Sequence, residues 1–253
     1  MLIFDLETGP LPDDELLEVY TPLDESEIEG LVTGEFDPAT VRTGNLKDPA
    51  KIQAKIDESR AYHEAAKANS ERIIAEARHK HWQEFLERAP LSAITGRVLA
   101  IGYLASESEK FAIDDGGGDE AKLLASFWLK YTKCRADSRR MVGHNILSFD
   151  VPFLVRRSWT LDVDVPETLL DRMRYLDPIF VDTMTLWGCG NRESVKLNLL
   201  GQAFRVGRKL EGMNGAGFHK LWLGTEEEKA KAVEYLVQDL RLTAGVARKM
   251  CLI

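Results

Sequence analysis

The sequence predicts an α/β fold, a five-stranded sheet with flanking helices and a helical insertion between the first and second strands. Three observations carry that prediction. Short apolar runs of strand length recur at residues 2–7, 97–104, 110–113, 141–145 and 179–182, each bounded by Gly, Pro or polar turn residues. Between and after the later runs lie segments whose apolar residues recur at helical spacing, so helices are available to cover a sheet. From Asp48 to Arg88 the text changes to Ala, Lys, Glu, Gln and Arg with no Gly and only Pro49, which is placed to open a helix.

Taken in order, residues 2–4 are apolar and lead into Asp5-Leu6-Glu7-Thr8-Gly9-Pro10, where the Gly-Pro pair is expected to end a buried strand at Glu7. Residues 11–43 are acidic and proline-punctuated with no sustained period, and read as an irregular excursion. Residues 48–88 read as one long helix or a helical hairpin with a sparse apolar stripe, a surface on which a protein partner could dock. Residues 97–104 and 110–113 form a hairpin across the polar turn at 106–109. Asp119 then caps a helix carrying Leu123, Leu124, Phe127 and Trp128 at helical spacing. A short strand at 141–145 runs into Ser148-Phe149-Asp150 and the start of another helix, and a strand at 179–182 precedes a helical pattern at 196–204. The glycine-rich stretch 207–217 reads as a loop. Thr225-Glu226-Glu227-Glu228 forms a capping box that opens a last helix running to about Met250.

At 253 residues and 44% hydrophobic content, the chain is expected to form a single domain over 1–253, with 11–95 as an acidic loop and helical insertion within it. The sequence holds no apolar run long enough to span a membrane and no signal-peptide pattern, so a soluble, cytoplasmic protein is expected. Cys134, Cys189 and Cys251 are far apart and match no zinc or redox spacing. The formal charge of -8 argues against nucleic-acid binding through overall positive charge. That objection weakens where acidic residues hold divalent cations, because the ions enter the same charge sum.

Asp5 and Glu7 are two apart on a predicted strand and so project from one face of the sheet, where they can share a cation. Acidic pairs on solvated strands are common, but this strand is otherwise apolar, and buried carboxylates need a partner. Asp150 sits at a strand-to-helix junction, where it could serve the site or simply cap the helix. Tyr235 and Asp239 are i, i+4 on one helix face beside the apolar stripe of Val233, Leu236, Val237 and Leu240, which sets them at the border of core and cleft. His144, close to Asp150, reads as a satisfied structural residue.

These residues resemble the three ordered motifs of the DEDD superfamily of 3'→5' exonucleases. Residues 4–9 (FDLETG) resemble the first, residues 145–150 the N-x-x-x-F-D form of the second, and Tyr235 with Asp239 the Y-x-x-x-D form of the third. The histidine subclass would place His at position 234, which is Glu here, so the chain looks like the tyrosine subclass. Thr243 after Asp239 resembles the D-x-x-x-T ending of exonuclease domains in family B DNA polymerases. The resemblance covers residues 1–9 and 96–253 and implies a ribonuclease-H-like mixed sheet. It gives no counterpart to residues 11–95.

By that resemblance, Asp5, Glu7 and Asp239 would bind one Mg2+ or Mn2+ ion and Asp5 with Asp150 a second, while Tyr235 orients the attacking water. Oxygen-only ligation suits these hard cations. Leu6 and Thr8 resemble residues that hold the terminal nucleotide, and Asn145 and Phe149 residues that shape its sugar pocket, although Phe149 could be simple core. Lys133, Arg135, Arg139, Arg140, Arg156 and Arg157 flank the second motif and could line a substrate groove. The expected substrate is nucleic acid with a free 3' end, with DNA favoured over RNA. The alternatives are an exoribonuclease and a non-catalytic nucleic-acid-binding module that keeps the fold.

Overall fold

The computed structural model describes the chain apart from residues 25–27, 29–33, 45–46, 109, 171–176, 192, 210–214 and 253. Among the described residues five strands form one sheet: β1 (Leu2–Pro10), β2 (Gly96–Ala105), β3 (Phe111–Asp114), β4 (Met141–Gly143) and β5 (Phe180–Asp182). Helices α1 (Asp13–Val19) and α2 (Pro49–Arg88) lie between β1 and β2, and α3 (Glu120–Ala136) follows β3. Helices α4 (Asp150–Thr160) and α5 (Glu167–Leu170) separate β4 from β5. Helices α6 (Thr183–Trp187), α7 (Leu197–Ala203), α8 (Gly215–Trp222) and α9 (Glu226–Lys249) complete the chain.

The sheet order is β3-β2-β1-β4-β5. β1 pairs antiparallel with β2 and parallel with β4; β2–β3 is antiparallel and β4–β5 parallel, so the sheet is mixed. β1 sits at the centre beside the more apolar β2, and both are buried along nearly their whole length because both of their faces are covered. Ile3 packs with Leu240, Ala244 and Ala247 of α9, whereas Phe4 and Leu6 join the opposite core with Phe127 and Tyr131 of α3 and Val151 and Leu154 of α4. The period-2 alternation therefore puts Asp5 and Glu7 on the α9 side.

β1 runs three residues beyond its expected end. Gly9 and Pro10 still pair with Arg97 and Gly96, and a proline is tolerated there because it closes the ladder. The register skips Leu99 between the Glu7–Ala100 and Thr8–Val98 pairs, a bulge that bends the strand just past the two acids.

Several helices depart from the expectation. α1 forms where an irregular excursion was expected, because Asp13, Asp14 and Glu15 occupy its first turn, where the helix dipole favours anions, and buried Leu16 anchors it. α5 and α6 are too short for periodicity to reveal. α8 begins at Gly215, inside the stretch expected to be a loop; of that stretch, residues 210–214 lie outside the described residues, as does Glu109 of the expected hairpin turn. The capping box at Thr225 and Glu228 and the Asp119 cap both form as expected. Arg157 was expected on a surface groove. It is 3% exposed, forked onto Glu120 at 2.9 and 2.7 Å and donating to Ala93 O.

The chain divides into two compact units. One, Met1–Leu16 with Arg88–Ile253, holds the sheet. The other, Leu17–Glu87, is built on α2, a single 40-residue helix with none of its residues buried. Within it Tyr20 packs edge-on against Trp82 at 4.8 Å and bonds His81 Nδ1 at 2.7 Å, while Phe36 packs on His63. Among the described residues no helix is long and apolar enough to cross a membrane.

Candidate active site

Asp5, Glu7 and Asp239 offer carboxylate oxygens that all lie within 4.8 Å of one another. Two backbone features produce that convergence. The alternation of β1 sends Asp5 and Glu7 toward α9, and Gly102, the cross-strand partner of Asp5, lets α9 approach. A Cβ at Gly102 would lie 2.8 Å from Leu236 and 2.9 Å from Leu240, the apolar residues that flank Asp239 on the helix.

Asp150 reaches the site differently. The N-cap position of α4 is Phe149, so Asp150 is not the helix cap. Its Oδ1 accepts the Leu6 amide at 3.1 Å. β4 pairs with β1 only at Leu2 and Ile3, and Asp150 takes the amide that β1 presents beyond the end of β4. The second motif is thereby tied to the backbone of the first.

Burial raises the pKa of all four carboxyls. Asp5 is pushed from 3.8 to about 7, first by burial and then by the charge of Asp239. Burial and then Asp5 hold both Glu7 and Asp150 well above the usual carboxylate range. Asp239 is raised by burial against the opposing pull of Lys209. Such a cluster strains toward a cation. Asp239 Oδ1 is buried with no hydrogen-bond partner among the described residues. An all-oxygen donor set with an orphaned carboxylate oxygen fits a hard divalent ion.

Tyr235 stands one turn before Asp239, packed near Phe218 with its centroid 6.4 Å away. Burial holds its phenol well above the ordinary value, so it stays protonated. Asp5, Asn145, Tyr235 and Asp239 help line a cavity of about 400 Å³ together with His144 and Lys209. Glu7, Asp150, Leu6, Thr8 and Phe149 do not contribute to its wall. Thr8 is buried and its hydroxyl donates to Pro90 O at 2.7 Å. Phe149 packs on the Phe4 core and against Phe153. Asn145 adopts a left-handed φ of 66°, with its amide on Asp182 Oδ1 at 2.8 Å.

Lys209 is the residue at this site that sequence reasoning missed. Its ammonium contacts Tyr235 and Asp239, yet it lies in a glycine-rich stretch with no period or motif to mark it. His144 is satisfied as expected, with Nε2 donating to Val195 O and Nδ1 beside the Thr183 hydroxyl. Of the six basic residues flanking the second motif, Arg135, Arg139 and Arg157 are held in ion pairs with Asp177, Glu107 and Glu120, while Lys133, Arg140 and Arg156 are exposed.

Comparison with known proteins fits this architecture. The RNase_H_2 model of the RNase_H superfamily matches residues 86–251. The chain is similar in structure to the family B DNA polymerase from the hyperthermophilic archaeon Pyrobaculum calidifontis, with a TM-score of 0.51 and 19% identity over 65% of this chain. The match spans 23% of the polymerase's length, and at this identity it speaks to the fold alone. No curated protein sequence matches the chain.

Proposed function

The chain belongs to the RNase H superfamily, and on that premise we propose that it is a divalent-metal-dependent 3'→5' exonuclease of the tyrosine DEDD subclass. The observation that carries this reading is the trio of Asp5, Glu7 and Asp239 within 4.8 Å, with Tyr235 one helical turn before Asp239. Its substrate would be nucleic acid with a free 3' end, single-stranded DNA in preference to RNA, and its product nucleoside monophosphates.

Asp5, Glu7, Asp150 and Asp239 would hold two Mg2+ or Mn2+ ions. Bound there, the ions supply an activated water and stabilisation of the leaving 3' oxygen. The chain's own residues position the substrate and the water. A protonated Tyr235 phenol donates a hydrogen bond that orients the attacking oxygen, and its high pKa makes it a poor base. Leu6 lies between the two acids of β1, where its backbone can meet the terminal nucleotide. Thr8 would act through its hydroxyl oxygen, since its proton is committed to Pro90. Asn145 on the cavity wall contacts the sugar, and Phe149 backs that wall from the core.

The test is release of mononucleotides from matched 3'-labelled DNA and RNA oligonucleotides with Mg2+ or Mn2+. Full activity in EDTA, or in Asp5→Asn, would overturn the reading. Binding of oligonucleotide without turnover under either metal would point instead to a binding module, and faster RNA turnover to an exoribonuclease.

A further inference from the structure

The carboxylate cluster already contains a cation. Lys209 Nζ donates to Asp239 Oδ2 at 2.5 Å and to Tyr235 OH at 3.1 Å, and it stands 5.2 Å from the centre of the Tyr235 ring. This placement is built in rather than swept out by a loose side chain. The Lys209 backbone amide donates to Asn198 Oδ1 of α7 at 2.8 Å, and the preceding carbonyl, Arg208 O, accepts from Gln238 Nε2 of α9 at 3.1 Å. Both neighbouring helices therefore hold the backbone that carries the ammonium.

An Asp239 carboxylate bonded to an ammonium cannot offer the same lone pairs to a metal. If the metal took the orphaned Oδ1 instead, two positive charges would share one carboxylate at close range, where they repel strongly. On the reading of Asp5, Glu7 and Asp239 as a metal site, we propose that Lys209 is a built-in competitor of the metal. It neutralises Asp239 in the metal-free protein, and the ion takes Asp239 only as the ammonium leaves it. The lysine thus sets how much free metal the site requires before it loads, and release of Lys209 from Asp239 and Tyr235 accompanies loading.

The test is a Mn2+ titration by calorimetry on the full chain without nucleic acid, in mildly alkaline buffer. Lys209→Met is expected to bind Mn2+ at least about tenfold more tightly than wild type, the worth of one charge-assisted hydrogen bond. Its metal-free Tm should fall, and its Mn2+-induced rise in Tm should grow. Lys209→Arg keeps a cation on Asp239 and should stay near wild type. Asn198→Ala, which loosens the lysine without removing it, should shift affinity the same way by less, and it serves if Lys209→Met does not fold. Unchanged or weaker Mn2+ binding in Lys209→Met, or in Asn198→Ala if that variant stands in, overturns the proposal. Wild-type protein that binds no Mn2+ would end the metal-site reading instead, and protein that binds Mn2+ but releases no nucleotide would end only the exonuclease reading.

Discussion

As the proposed metal ligand Asp5 would face opposing demands: ionisation to bind the ion, against burial and Asp239, which push its pKa from 3.8 to about 7. The folded, metal-free protein therefore holds a proton that the unfolded chain releases near pH 4, so this group costs stability as pH rises from about 4 to about 7. Saturating Mn2+ should remove that loss, since the ion replaces the proton. Thermal melts across this window with and without Mn2+ test the prediction; a metal-free Tm that climbs with pH in wild type and equally in Asp5→Asn would contradict it. Asp5→Asn should itself raise the metal-free Tm while abolishing metal-dependent cleavage, because it removes a repelling carboxylate and a ligand at once. The convergence of Asp5 and Glu7 on one strand face, and of Tyr235 and Asp239 on one helix face, was legible in the sequence because periods of 2 and 3.6 translate spacing into direction. Asp150 was legible only as an alternative, since its hydrogen bond to Leu6 spans 144 residues. Lys209 was not legible, because a long side chain in an aperiodic stretch is aimed by the fold around it.

At the scale of elements, the approach of α9 to the sheet decides whether the three carboxylates meet. Gly102→Val should push α9 outward, destabilising the protein by about 2 kcal/mol through overpacking and weakening Mn2+ binding more than a mutation equally destabilising elsewhere. Chemical denaturation paired with metal titration separates the two effects. The Arg157–Glu120 pair makes a different point: Arg157 is buried and Glu120 only partly exposed, so Arg157→Ala leaves a largely desolvated carboxylate with the Val98 amide as its remaining partner and should destabilise by about 3 kcal/mol with little effect on metal affinity once folded. Strands, caps and the long helices were legible because each carries a local signal. α5 and α6 span 4 and 5 residues, less than two turns, and leave no period to detect.

For the whole molecule, the compact unit Met1–Leu16 with Arg88–Ile253 contains every strand among the described residues and every proposed catalytic residue, while Leu17–Glu87 has its own aromatic contacts around Tyr20. Replacing residues 17–87 with a Gly/Ser linker should leave a protein that melts cooperatively and still gains Tm on Mn2+; loss of cooperative melting would show that the remainder depends on the excised part. The existence of the insertion was legible from its change in composition, but its internal contacts pair residues such as Tyr20 and Trp82 that no local pattern links. The convergence of β1 and α9 also carries a consequence for biosynthesis. Asp5 and Glu7 leave the ribosome long before Asp239, so a nascent chain arrested short of α9 displays two of the three clustered carboxylates and leaves Leu99 and Ala100 without their helical cover. Until α9 is made, the carboxylate trio is incomplete and this apolar face of β2 stays uncovered, so the site and part of the core form in one step.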